Sequence, residues 1–266
     1  MQSNPYRSLP FGGILPSNAF RLHFRFKPAG LPPGYWSVAG LLFLLCFSAC
    51  RLQHDSCGPH PNPYGLEIVH CKKEYLVQIR QHPDLEMKDL EKEIPGLITD
   101  LRYATPNNFT GQLIYSSPRA FARKKVADAL RQVQDSLRHH GLGLIVFDAY
   151  RPYSASVRFF EVYPDTLFVA NPRYGSRHNR GAAVDVSLAD LATRKEIAMP
   201  SGFDDFSEKA HPGYNDLPPE IIQNRNLLFG VMKHFGFTHY PTEWWHFDFA
   251  GWEQYPLTDL PFGDLE

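Results

Sequence analysis

The feature that most restricts how this chain can fold is the stretch Ser176-Arg-His-Asn-Arg-Gly-Ala-Ala-Val-Asp185, read together with Glu243-Trp-Trp-His246. His178 and Asp185 can converge only if the loop carrying the histidine folds back on the strand carrying the aspartate. Gly181 between them permits the tight backbone approach, and the small Ala183 leaves room beside the carboxylate. His246 lies about sixty residues further on, so uniting the three requires two remote segments to run side by side. Two imidazoles and a carboxylate make the three protein ligands of a catalytic zinc site, with a fourth position open for water. Glu243 is then a spare carboxylate free to act as base.

Taken singly, each of these residues has a plainer reading. The chain has 12 histidines, and His139 and His140 are explained by a helix C-terminus, where the macrodipole favours them. Asp185 alone reads as a turn or salt-bridge residue, and Trp244 and Trp245 read as core and pocket wall. The combination carries the inference: His-x6-Asp with an intervening Gly-x-Ala, plus a distant Glu-x-x-His, is far rarer by chance than any one part. Residues three apart in a strand point to opposite faces. One of Glu243 and His246 is therefore expected where a strand begins or bulges.

The surrounding periodicities supply the scaffold. Ser117 as N-cap and Pro118 at the first helical position predict a helix whose stripe, Ala122, Val126, Leu130, Val133 and Leu137, runs until Gly141 stops it. Leu142 to Tyr150 is a nearly continuous apolar run, hence a buried strand beneath that helix. Pro152 opens a further helix through Phe160. Arg151, between them, has two readings: a structural ion pair with Asp148, or a cation reaching a pocket at the strand end. Gly181 to Leu188 reads as a strand with Ala183, Asp185 and Ser187 on one face. A helix over Pro218 to Phe235 has Ile222, Leu228, Val231, Met232 and Phe235 as its apolar side, and Thr242 to Phe249 is the last strand. Asp100 to Gly111 reads as a short extended piece running into a loop, and the folded domain begins between Tyr64 and Leu85.

Composition is ordinary for a globular chain of 266 residues, 43% hydrophobic and 21% charged, long enough for one sizeable core. Formal net charge is -1, but Arg7, Arg21, Arg25 and Lys27 precede Cys50 with no acid among them, so the remainder is net acidic. Nothing there suggests nucleic acid as a partner. Basic residues lead into the apolar run Val38 to Ala49, too short to span a bilayer comfortably but suited to a secretory signal. The segment ahead of the run is long for such a signal, as a start assigned too far upstream would make it. Phe47-Ser-Ala-Cys50 resembles the lipobox of bacterial lipoproteins, departing from it at Phe47. That implies a lipidated Cys50, a membrane anchor, and an exported, periplasmic or outer-membrane-associated protein. With Cys46 and Cys50 in the signal, Cys57 and Cys71 remain, close enough for a local disulfide in an oxidising compartment.

The motif Ser176-x-His178-x-x-Gly181-x-Ala183-x-Asp185, with Glu243-x-Trp245-His246, resembles the zinc D,D-peptidase superfamily. Three further segments, Tyr103-Ala-Thr-x-x-Asn108-Phe-Thr-Gly111, Asp148-Ala-Tyr-Arg-Pro152 and Met199-Pro-Ser-Gly-Phe-Asp204, resemble its D-alanyl-D-alanine dipeptidase branch, the type known from vancomycin resistance. The resemblance covers about residues 90 to 255 and implies an α+β fold, a small mainly antiparallel sheet flanked by helices. With the signal reading and the Gly58, Pro59, Pro61 and Pro63 stretch taken as a tether, the chain divides into a signal peptide over 1–49, a tether over 50–66 and a dipeptidase domain over 67–266. His178, Asp185 and His246 would hold one Zn²⁺. Glu243 would be the general base and Arg151 would stabilise the oxyanion. Tyr103, Ser176 and Asp204 would line the pocket, Asp204 facing the ammonium group of a D-alanyl-D-alanine substrate. Arg177 stands where the vancomycin-type enzyme has a serine, and residues 153–174 form a shorter segment than in that enzyme. Alternatives are a D,D-carboxypeptidase trimming peptidoglycan stem peptides and a non-catalytic cell-wall-binding lipoprotein. Retention of Glu243 and Arg151 speaks against the latter. Ser176 lacks the Gly-x-Ser-x-Gly elbow of a serine hydrolase.

Overall fold

The computed structural model describes residues 62–266. In chain order they form β1 (Ile68–Val69), α1 (Lys72–Gln81), β2 (Met87–Asp89), α2 (Leu90–Glu93), β3 (Ile98–Thr99), β4 (Phe121–Arg123), α3 (Lys124–Arg138), β5 (Leu142–Asp148), α4 (Tyr153–Val162), β6 (Ala183–Asp190), β7 (Lys195–Glu196), α5 (Pro219–His234), β8 (Phe237–Tyr240), β9 (Glu243–Phe249) and β10 (Leu257–Thr258). The main sheet runs β3-β5-β6-β9-β8, with β7 on β6. Only β3 and β5 pair in parallel within it, so the expected mainly antiparallel α+β sheet is what the chain builds.

The apolar stripe of α3, Val126, Leu130, Val133 and Leu137, is fully buried in one core with Leu144 and Val146 of β5 and with Val186 and Leu188, their ladder partners on β6. Each such side chain contributes about 1.5–3 kcal/mol on burial. From α5, Leu228 and Met232 join this core together with Trp244. The buried amide of Gln134 on α3 accepts from the backbone N–H of Leu144 at 2.7 Å, fixing the helix on the strand.

Three features differ from the sequence reading. The α3 helix begins at Lys124, because the residues before it hydrogen-bond sideways: Phe121–Arg123 pairs antiparallel with Met87–Asp89, and Arg123 N–H donates to the Gly181 carbonyl at 2.9 Å. Ser117 and Pro118 therefore do not cap it, and Ala122 is a strand residue. The extended piece placed at Asp100 lies just earlier, at Ile98–Thr99, with a 3₁₀ turn over Arg102–Ala104. Lastly, β9 is not the final strand: β10 follows it and pairs in parallel with β1, Ile68 beside Leu257.

Arg123 ties these outlying pieces together. It is 1% exposed, and its guanidinium donates to the carbonyls of Leu85, Arg180 and Pro256 and to the Thr258 hydroxyl. Burial pulls its pKa down to about 10, still high enough to keep the charge. The expected signal segment, Cys50 and Cys57 lie outside the described residues; Cys71 is disulfide-bonded.

Candidate metal centre

The site forms where β5, β6 and β9 lie side by side. Ladder pairing sets Asp148 opposite Asp185 and Asp185 opposite His246, so three polar side chains stand in a row across the sheet. His178 comes from a 3₁₀ turn, His178–Arg180, that ends at Gly181 with φ +66°. A side chain at Gly181 would press on Met87, whose Sδ and Cε lie 2.6 Å from the Cβ position. Asn179, fully buried, holds the turn: its amide donates to the Arg151 carbonyl and to the Ser156 hydroxyl, both at 2.9 Å, and its oxygen accepts from Ser176 N–H at 2.7 Å.

Glu243 opens β9, and the β8–β9 ladder steps from His239↔Phe247 directly to Tyr240↔Glu243. The strand thus bulges over Trp244, Trp245 and His246. This lets Glu243 and His246 serve one pocket despite their three-residue spacing, as the sequence required. Trp244 is core, with its indole N–H donating to Ser201 Oγ at 3.0 Å, and Trp245 walls the pocket.

His178, Asp185 and His246 converge. His178 Nε2 lies 3.1 Å from His246 Nδ1 and 3.4 Å from Asp185 Oδ1, and His246 Nδ1 lies 3.1 Å from the same oxygen. Three ligand atoms about 2.0–2.1 Å from a tetrahedral ion stand roughly 3.3 Å apart, so the spacing suits one ion. Although flanked by two ring nitrogens, the buried Asp185 Oδ1 receives no hydrogen bond. An orphaned carboxylate oxygen between two imidazole nitrogens, in a borderline nitrogen and oxygen set, fits zinc.

The far side of each ring is also fixed. His178 Nδ1 donates to the Ala149 carbonyl at 2.7 Å, and His246 Nε2 faces Asp248 Oδ1 at 3.0 Å. His178 thus offers Nε2 inward and His246 offers Nδ1. Asp248 escaped the sequence reading, although His-x-Asp at strand spacing puts both side chains on one face.

Charge sets the chemistry of the remaining groups. Burial pushes the Glu243 carboxyl up to about 7, against the opposing pull of His246, and its Oε2 lies 3.6 Å from His246 Nδ1. It can therefore take and return a proton near neutrality. Burial works against a charged His246, but Asp185 and Asp248 outweigh it and carry the ring to about 10. For Asp185 burial opposes ionisation, yet His178 and His246 hold its carboxyl below the ordinary range.

Arg151 satisfies both of its readings. Its Nε and Nη2 meet Asp148 Oδ2 at 2.9 and 2.8 Å, while Nη2 also stands 3.8 Å from Asp185 and the residue lines the pocket. Phe159 and Tyr103 lie against the guanidinium at 4.7 and 5.4 Å. Across the cavity, Tyr103 donates its hydroxyl to Asp204 Oδ1 at 3.0 Å, leaving the buried Oδ2 with no hydrogen-bond partner. Burial, then the charge of Asp185, pushes Asp204 up to about 8. Its backbone sits at φ +60°, uncommon for a non-glycine residue. Ser176 Oγ accepts from His178 N–H at 3.2 Å and lines the same cavity, which encloses about 580 Å³.

Comparison with known proteins gives the lineage. Residues 84–260 match the peptidase family described as D-ala-D-ala dipeptidase. The chain is 36% identical to D-alanyl-D-alanine dipeptidase of Escherichia coli (strain K12) over 172 residues, 65% of this chain and 89% of that protein. It is 33% identical to D-alanyl-D-alanine dipeptidase of Enterococcus faecalis (strain ATCC 700802 / V583) over 198 residues, covering 66% and 93%. There is also a weak likeness to a solved structure of VanYB in complex with D-Alanine-D-Alanine (TM-score 0.36, 19% identity, 52% of this chain and 77% of that one). The stretch matched by the family runs through every element that builds the candidate metal centre, and the chain belongs to the D-ala-D-ala dipeptidase family.

Proposed function

We propose that the protein hydrolyses the D-alanyl-D-alanine dipeptide to free D-alanine, with one zinc ion held by His178, Asp185 and His246. The observation that carries this reading is the three-atom set with an unsatisfied carboxylate oxygen and Glu243 beside it, in a chain whose curated relatives are D-alanyl-D-alanine dipeptidases. Zinc bound there supplies a Lewis acid that acidifies water and polarises the scissile carbonyl.

The protein's own groups do the rest. Glu243 takes the proton from the attacking water and delivers it to the leaving amine. Arg151, unable to lose its proton and braced by Asp148, faces the negative charge that develops on the carbonyl oxygen. Asp204, steadied by Tyr103 and with a free oxygen, accepts the substrate ammonium. Ser176 lines the same pocket. A buried carboxyl that an approaching ammonium would draw into its ionised form favours a free N-terminus, and so a dipeptide over the longer stem peptide that a D,D-carboxypeptidase would trim.

The deciding assay compares D-alanine release from free D-alanyl-D-alanine with release from a stem pentapeptide. Preference for the pentapeptide would replace this reading by the carboxypeptidase one. Zinc uptake without release from either would support a non-catalytic binding protein.

The same proposal extends to delivery: residues 1–49 act as a lipoprotein-type signal, 50–66 tether the dipeptidase domain over 67–266, and lipidated Cys50 anchors it after export. Basic residues, an apolar run and a cysteine in that order support this, as does the disulfide at Cys71, whose expected partner is Cys57. Among the described residues no helix is long and apolar enough to cross a membrane. Intact mass of the membrane-extracted protein tests it, since cleavage before Cys50 with added acyl mass is expected.

A further inference from the structure

Asp248 occupies a position that local preference does not explain. It lies inside β9, paired with Ala183 of β6 on one side and Thr238 of β8 on the other. Aspartate is disfavoured within strands, and a carboxylate taken from water needs partners. It has two, on opposite sides: Oδ1 is 3.0 Å from His246 Nε2 and Oδ2 is 3.0 Å from Arg177 Nη1.

Arg177 is itself immobilised. Its guanidinium lies 4.8 Å from the Trp252 ring centre and 5.4 Å from that of Tyr240, and Tyr240 stands 5.1 Å from the His246 ring. His246, Asp248, Arg177 and Tyr240 thus close a ring of contacts around one imidazole. An imidazole can coordinate through either nitrogen, and which one is free depends on where the other sends its N–H. Only Nδ1 of His246 faces His178 Nε2 and Asp185 Oδ1. In the neutral ring that a metal binds, an acceptor at Nε2 takes the remaining N–H, leaving the lone pair on Nδ1, and holds the ring in that plane. His178 gets the same service from a backbone carbonyl, which no substitution removes, whereas His246 depends on a side chain.

We propose that Asp248, pinned by Arg177, is the positioning residue that presents Nδ1 of His246 to the metal. This rests on the zinc reading of the site. It also gives Arg177, which stands where the vancomycin-type enzyme has a serine, a role behind the proposed ligand.

The test is zinc affinity of the full-length protein by chelator competition, beside the melting temperature of the metal-free form. Loss of such an outer partner lowers metal affinity about 10–100-fold, expected for Asp248→Ala. Asp248→Asn keeps an acceptor for Nε2–H and should recover most of the loss. Arg177→Met should weaken binding less than Asp248→Ala. The metal-free melting temperature should be nearly unchanged in all three. Equal zinc affinity in wild type and Asp248→Ala overturns the inference. So does equal loss in the alanine and asparagine variants that tracks a lowered metal-free melting temperature, which marks a merely structural carboxylate. A wild-type chain that takes up no zinc overturns the proposed metal site and this inference together.

Discussion

Asp185 and His246 face each other across the β6–β9 ladder, with the carboxylate Oδ1 3.1 Å from the ring Nδ1. Adjacent antiparallel strands are among the stiffest frames a chain offers. Two of the proposed ligands, distant in sequence, are thereby set by backbone hydrogen bonds, and only His178 depends on a turn. The consequences can be measured.

Removing the base should separate chemistry from metal. Glu243→Gln is expected to retain wild-type zinc content while dipeptide hydrolysis falls about 10²–10⁴-fold. His246→Ala should lose both. With the free carboxyl near 7 and a cation adjacent that favours the ionised form, the acidic limb of kcat/KM should fall at or below pH 7. Activity is lost as pH drops, because the protonated acid cannot accept. Undiminished turnover in Glu243→Gln would remove Glu243 from this role.

Metal binding should release a proton. In the metal-free protein His246 titrates near 10, so below that pH the ion must displace its proton, and zinc affinity should rise with pH by about tenfold per unit. The same group is raised from 6.5, so its stabilisation of the metal-free fold is complete below that pH and lost as pH rises through about 10. Calorimetric titrations in buffers of different ionisation enthalpy count the proton. A pH-independent affinity would contradict the assignment of His246 as a ligand.

Much of this was legible in the sequence, because the donors carry their spacing with them. His178, Asp185, Glu243 and His246 needed only a turn glycine and a bulge to meet, and both exist. The start of α3 was not legible: Ser117 and Pro118 are a sound local helix signal, but Phe121–Arg123 has a strand partner over thirty residues earlier in the chain, which no local pattern records. The same holds for α1, where Tyr75 is its buried residue and hydrophobic periodicity is faint. Asn179 and Arg123 were missed because each satisfies backbone groups of several separate loops, a role visible only once those loops are together.

Substrate recognition should depend on the Asp204 carboxyl, which burial holds near 8 until an ammonium beside it favours the ionised form. Asp204→Asn is expected to raise KM for D-alanyl-D-alanine roughly 10–100-fold, the scale of a hydrogen bond to a charged group, with a smaller change in kcat. The N-acetylated dipeptide should be a poor substrate for the wild type and suffer little further from the substitution. If both substrates lost equally, Asp204 would be shaping the pocket rather than reading the ammonium.

The turn that delivers His178 should be intolerant of any side chain at its end. Gly181→Ala combines φ +66° with a Cβ 2.6 Å from Met87, and the left-handed backbone alone costs about 1–2 kcal/mol. Lower melting temperature and lower zinc content are expected. Gly213→Ala, at a glycine with nothing within 4 Å of the added methyl, should change neither.

The parallel pair β1–β10 has a practical corollary. Val69 accepts from Asp259 N–H at 2.7 Å, β10 packs against the His178–Arg180 turn, and Arg123 bridges Thr258 to the Arg180 carbonyl. Whatever pulls on the front of the domain is thus in mechanical series with the turn that carries His178. An expression boundary drawn inside residues 66–70, chosen merely to drop the residues before the first strand, would strip β10 of its neighbour and loosen the grip on His178 from behind.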